Sequence, residues 1–117
     1  MKRSGKIRHD SCTADGYKFD SRKELERYRA LRLLERGGAV TDLKVHPRYE
    51  IIPTLRSLDG RVIFRSAHYT ADFSYKTPDG RLVVEDVKSE FTRREKDYIL
   101  RRKLMLMVNG IYVEEVI

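Results

Sequence analysis

Apolar positions fall at helical spacing in one stretch of the chain and at alternating or continuous spacing in several others, and this division lays out its elements. Leu25, Tyr28, Leu31 and Leu34 share one arc of a helix advancing about 100° per residue. Asp20 or Ser21 can cap its start and Gly37-Gly38 can end it, so the spacing predicts a helix over residues 21–36. Val45 to Ile52 mixes β-branched with aromatic residues and closes at Pro53, which predicts a first strand. Leu58-Asp59-Gly60-Arg61 is a turn signal, and a second extended run follows from Val62 to Tyr75 with a break near Ser66. Thr77-Pro78-Asp79-Gly80 supplies another turn, after which Arg81 to Lys88 forms a third strand. Helix formers run from Thr92 to Val108, stop at Asn109-Gly110, and give way to a last strand from Ile111 to Val116. The expected order is αβββαβ, an α/β domain with no internal repeat.

Composition narrows the class. A chain of 117 residues, 40% of them hydrophobic, buries one modest core and fits a single domain. Residues 1–16 combine Lys2, Arg3, Lys6 and Arg8 with small polar residues and are expected to form a flexible basic arm ahead of a domain over residues 17–117. The longest apolar runs, Leu82 to Val84 and Leu104 to Val108, fall far short of the roughly 20 residues of a membrane span. The basic start leads into polar residues rather than a secretory signal, so a cytoplasmic protein with no membrane partner is expected. Cys12, the only cysteine, excludes an intrachain disulfide and a thiolate zinc cluster. Lys plus Arg number 25 against 18 Asp plus Glu, a net charge of +7 that favours a polyanionic partner, DNA first, although solubility alone accounts for it equally well.

Candidate chemistry sits where two extended runs meet. Side chains alternate faces along a strand, so Asp86 and Lys88 point to one side and Glu85 to the other. In the preceding run, Tyr69, Ala71, Phe73 and Tyr75 are expected on one apolar face, with Asp72 opposite. The Pro-Asp-Gly turn pairs the two runs antiparallel and brings Asp72 near Asp86. Two close carboxylates repel unless a divalent cation lies between them, and hard oxygen ligands point to Mg²⁺ or Mn²⁺. A lysine two residues on can orient an attacking water and stabilise charge developing on a phosphate. Solvated residues joined in a surface salt bridge fit the same short pattern. Glu24 falls within the apolar arc of the first helix, where it faces inward or closes a capping box with Ser21; Glu35 lies on nearly the same arc. Lys18, Arg22 and Lys23 near the first helix, and Arg93, Arg94, Lys96, Arg101, Arg102 and Lys103 on the second, are candidates for a phosphate backbone. Tyr98 and Phe91 among them are expected in the core rather than stacked on bases. His46 and His68 are read as packing or surface residues and assigned to no metal. No glycine-rich phosphate loop, zinc signature or Ser/His/Asp order is present.

The strings Phe19-Asp20-Ser21-Arg22-Lys23-Glu24 with Arg27-Tyr28, Leu43-x-x-His46-Pro47, Tyr69-Thr70-Ala71-Asp72-Phe73 and Val83-Val84-Glu85-Asp86-Val87-Lys88 together resemble a family of small phage and prophage proteins. That family is catalogued as a domain of unknown function and grouped with the PD-(D/E)xK nucleases of restriction-endonuclease-like fold. The resemblance covers nearly all of residues 17–117. It implies a mixed central sheet flanked by helices, a glutamate on the first core helix at Glu24, a first metal carboxylate at Asp72, and a second carboxylate plus lysine at Asp86 and Lys88. Where members of the family tend to carry Gln before the proline, this chain has His46.

The expectation is a Mg²⁺- or Mn²⁺-dependent DNA endonuclease, encoded by a phage or prophage, with the metal held by Asp72, Asp86, the Val87 carbonyl and Glu24. Lys88 acts on the water. A small domain has little surface for reading a long sequence, which favours structure-selective cutting of junction or branched DNA. A homodimer is expected if both strands are cut symmetrically. A non-catalytic DNA-binding accessory of phage recombination or packaging, or a structural phage protein, remains the alternative.

Overall fold

The computed structural model describes residues 12–117, so most of the expected basic arm lies outside the described residues. Its last residues belong to the fold. β1 (Thr13–Ala14) pairs antiparallel with β2 (Tyr17–Lys18). Asp15 and Gly16 between them both have positive φ, 51° and 85°, as a primed two-residue hairpin turn requires. Cys12 and Phe19 flank the hairpin and are buried against the first helix, and the Tyr28 hydroxyl donates to Asp15. The boundary expected at residue 16 therefore falls inside a hairpin tied to the core.

Helix α1 (Arg22–Arg36) begins where the sequence predicts, with the Ser21 hydroxyl accepting from the Glu24 amide, and it buries Leu25, Tyr28 and Leu31. Leu34 is 41% exposed, at the edge of the apolar arc. Glu35 faces inward for a local reason, accepting from the Leu43 amide and pairing with Arg32.

Residues 41–76 form one long bent hairpin instead of the two strands expected. β3 (Thr41–Val45) pairs with β8 (Phe73–Lys76), β4 (Arg48–Ile52) with β7 (Ala67–Thr70), and β5 (Leu55–Arg56) with β6 (Val62–Phe64), all antiparallel. Two facing kinks separate the inner segment from the middle one. His46 takes φ 56° just before Pro47, which has no amide to donate, and across from it the chain bends at Ala71–Asp72. The His46 amide donates to the Asp72 carbonyl at 2.9 Å and the Ala71 amide to the Pro47 carbonyl at 3.0 Å, so the kinks lock each other.

β9 (Leu82–Val87) pairs antiparallel with β8. The chain then passes through a single 3₁₀ turn (Thr92–Arg94) and helix α2 (Lys96–Asn109) to β10 (Glu114–Val116), parallel to β9. The result is a mixed four-stranded sheet, β10-β9-β8-β3. A parallel neighbour demands a crossover, and α2 supplies it. It ends at Gly110, whose φ of 68° is the left-handed cap expected there.

The helices cover opposite faces of the sheet. Leu25, Tyr28 and Leu31 of α1 pack with Phe73, Tyr75 and Val87, while Tyr98 and Met105 of α2 pack with Ile51, Tyr69, Ala71 and Val84. Each fully buried Leu, Ile, Val, Phe or Met side chain of these clusters contributes about 1.5–3 kcal/mol. The single apolar face expected for Tyr69, Ala71, Phe73 and Tyr75 does not exist, because the kink at Ala71–Asp72 resets the alternation and sends the first two toward α2 and the last two toward α1. Glu85 points to the α1 face, as alternation requires, where Arg27 grips both its oxygens at 2.9 and 2.6 Å and Tyr75 donates to it.

Candidate metal centre

The facing kinks place one ligand-type side chain each at the mouth of α1. Glu24, His46 and Asp72 offer a carboxylate oxygen, a ring nitrogen and a second carboxylate oxygen, all within 4.8 Å of one another. Glu24 and Asp72 line a cleft of about 330 Å³ whose walls also include Lys23, Val87, Lys88 and Thr92, and His46 stands behind Glu24, against its Oε2.

Local structure fixes each ligand. Glu24 divides its oxygens between the two roles considered from sequence. Oε1 accepts from the Asp20 amide at the helix start, and Oε2 lies 3.1 Å from His46 Nε2. Phe19 lies beside the His46 ring, with centroids 5.7 Å apart. Asp72 Oδ2 accepts from the Val87 amide at 2.7 Å. A strand residue's N–H and C=O leave the backbone on the same side. The Val87 carbonyl therefore faces the Asp72 side of β9, while the next amide, that of Lys88, turns away to bond Val116.

The Asp72 carboxyl is pushed up to about 6, first by desolvation and then by Glu24, with the Val87 amide and the Lys88 charge pulling the other way. Asp86 is likewise raised to about 6 by desolvation, opposed by the Tyr69 hydroxyl, with the Asp72 charge adding to the rise. Two carboxylates and an imidazole crowded together with a destabilised charge form a donor set that a divalent cation fits, since the ion relieves the repulsion that burial amplifies.

The arrangement differs from the expected one in two respects and agrees with it in a third. His46, given no role from sequence, joins Glu24 and Asp72, and it does so through the pairing of its kink with the bend at Ala71–Asp72. Asp86, expected as a metal ligand, is not a member of that group. It lies next to Asp72, but Tyr69 Oη and the Asp72 amide donate to its two oxygens, and it opens onto a separate cleft on the α2 side. Lys88 is on the Asp86 side, as alternation requires, with Nζ 4.7 Å from the centre of the Tyr98 ring, and its charge acts on both carboxylates.

The basic candidates divide. Lys18, Arg22, Lys23, Arg94, Lys96 and Lys103 are exposed, and Lys23 Nζ reaches the Lys88 carbonyl at 3.5 Å on the cleft rim. Arg93 is exposed but pairs with Glu115 at 3.1 Å. Arg101 and Arg102 serve the fold. The first donates to the His68 carbonyl, and the second pairs with Glu115, donates to the Val113 carbonyl and lies over Tyr98 and Tyr112. Tyr98 is buried as expected, whereas Phe91 is 78% exposed beside Arg93 and Arg94. A larger cavity of about 480 Å³ lies between the N-terminal hairpin and α1, but its Arg32 is already paired with Asp15 and Glu35. Among the described residues no helix is long and apolar enough to cross a membrane.

These features define a mixed α/β domain with an acid-and-histidine cluster at the junction of a helix and a kinked hairpin. The chain belongs to the family described as Protein of unknown function (DUF1064), whose model matches residues 4–114. Comparison with curated proteins and with solved structures gave no match.

Proposed function

We propose that this protein is a metal-dependent DNA nuclease of the PD-(D/E)xK type. The observation that carries the reading is the convergence of Glu24, His46 and Asp72 beside a cleft that Lys88 also lines, with Asp86 next to Asp72. The order of elements supports it as well: a carboxylate-bearing first helix, paired strands carrying Asp72 and Asp86-x-Lys88, then a helix and a parallel strand, as in a restriction-endonuclease-like core. A divalent ion held by Glu24, His46, Asp72 and the Val87 carbonyl would supply the Lewis acidity that phosphodiester hydrolysis needs. A ring nitrogen among the donors suits Mn²⁺ at least as well as Mg²⁺.

The chain's own residues cover the remaining requirements. Lys23 and Lys88 place positive charge at the cleft, where a scissile phosphate gathers negative charge. Asp86 holds the Asp72 backbone through its amide, which makes it a positioning residue for the kink as well as a charge next to the site. Lys18, Arg22 and Arg94 on the surrounding surface, within a chain of net charge +7, favour a polyanionic substrate. Phe91 is exposed between cleft residues and two arginines and suits stacking on an unpaired base.

One set of contacts favours a second reading, a DNA-binding module without chemistry. Both Asp86 oxygens already accept hydrogen bonds, and Lys88 Nζ rests over an aromatic ring. Incubating labelled linear duplex, single-stranded, flapped and four-way-junction DNA with Mg²⁺, Mn²⁺ or EDTA separates the two. Metal-dependent cutting that Lys88→Ala abolishes is the outcome expected of a nuclease. Binding without cutting under every condition establishes the module instead.

A further inference from the structure

The outer part of the long hairpin carries chemistry that the cleft does not use. β5 and β6 pair only with each other, and every residue from Pro53 to Arg65 is exposed apart from the half-buried Ser57. The register sets Leu55 opposite Phe64 and Arg56 opposite Val62 across a bulge. Leu55 and Phe64 thus share one solvated face, Val62 is exposed across from Arg56, and Leu58 projects fully from the tip at 110% relative exposure. A lone two-stranded ribbon is marginal in water, and an apolar patch on one marks a contact surface.

Charge decides what that surface meets. Between Pro53 and Arg65 the segment has three arginines, Arg56, Arg61 and Arg65, and one carboxylate, Asp59. Asp59 is occupied within the turn by Ser57 and the Arg61 amide. Among the described residues none of the three arginines forms an ion pair. A surface made for another copy of the chain would be depleted of charge at its centre, whereas cations flanking an apolar tip are what a groove-binding ribbon presents to duplex DNA, with phosphates on either side and an apolar wedge against a base step.

We propose that residues 53–65 form a duplex-binding arm, in which Arg61 and Arg65 contact phosphates and Leu58 wedges a base step, so that the preferred substrate is bent or branched duplex. The proposal rests on the nucleic-acid reading of the cleft and adds the substrate class. At about 3.3 Å per residue the tip at Leu58 reaches at most ~40 Å from the His46 kink, so the arm touches DNA up to about twelve base pairs from the scissile bond.

The test uses a 30-base-pair duplex labelled at both ends, titrated in EDTA at several salt concentrations with the full chain, with Arg61→Ser/Arg65→Ser and with Leu58→Ser. The double variant is expected to bind on the order of tenfold more weakly at moderate salt. The slope of log affinity against log salt is expected to fall by ~0.9 for each phosphate that the variant no longer neutralises. Leu58→Ser is expected to keep that slope and lose the end-to-end energy transfer that reports bending. If the parent binds and both variants match it in affinity, slope and bending, the arm proposal is overturned and the nuclease reading stands. If the parent binds no DNA at all, the nucleic-acid reading itself fails. A dimer in sedimentation equilibrium that only these variants dissociate makes the arm a contact between copies and also overturns the proposal.

Discussion

Asp72→Asn is expected to stabilise the metal-free protein at neutral pH while removing a ligand. Asp72 has its pKa raised from 3.8 to about 6 in the fold. A carboxyl whose folded-state pKa lies above its unfolded value binds its proton more tightly when folded. The stability linked to that proton is fully present below about pH 4 and is lost as pH rises through about 6. At pH 7.5 the full shift corresponds to about 3 kcal/mol, of which part reflects Glu24 and the remainder burial. Asn keeps an oxygen for the Val87 amide and offers an N–H toward Glu24, so the expected gain is about 1–2 kcal/mol, or roughly 4–10 °C in Tm for a domain of this size. Urea denaturation in EDTA at pH 7.5 and at pH 5.0 reads the difference between parent and variant. The gain should appear in full at pH 7.5, fall to about half at pH 5.0, where the unfolded chain's carboxyl is still ionised, and vanish only below about pH 4. A variant less stable than the parent at pH 7.5, or an equal difference at both pH values, refutes the reasoning.

Arg27→Ala leaves the Glu85 carboxylate buried with only Tyr75 for a partner, and should cost about 3–5 kcal/mol in thermal or urea unfolding. Adding Glu85→Gln should recover much of that loss, and a loss under 1 kcal/mol in the single variant contradicts the buried-pair assignment. His46→Ala should weaken Mn²⁺ binding by tenfold or more, about 1.4 kcal/mol, and Mg²⁺ binding by less, as measured by calorimetry. Gly110→Ala forces a side chain into a φ of 68° and should cost about 1 kcal/mol with no effect on metal binding.

What could be read in the sequence follows from how local the determining physics is. α1 was legible because its apolar spacing, its Ser21 cap and its Gly37 stop agree, and the end of α2 because glycine at the left-handed position is a local requirement. β9 was legible for the same reason: a short apolar run bounded by a turn, with alternation that correctly set Asp86 and Lys88 against Glu85. The facing kinks were not. Alternation assumes an unbroken strand, so it extended one face through Ala71–Asp72, and the match between that bend and His46–Pro47 depends on pairing between segments far apart in the chain. His46 was missed for that reason, since a lone histidine carries no local mark of a partner. The Asp15-Gly16 dipeptide did carry a local mark for the N-terminal hairpin, one outweighed by the basic composition around it. Arg101 and Arg102 looked like candidates for a phosphate backbone because nothing in the sequence shows the carbonyls, glutamate and aromatic rings they fold against.

The most direct test of the metal centre is Mn²⁺ titration followed by electron paramagnetic resonance, with Asp72→Asn and Glu24→Gln beside the parent. One bound ion per chain in the parent, weakened by at least tenfold in both variants, is the expected result. No binding in the parent, or binding that both variants retain unchanged, contradicts a metal centre at Glu24, His46 and Asp72.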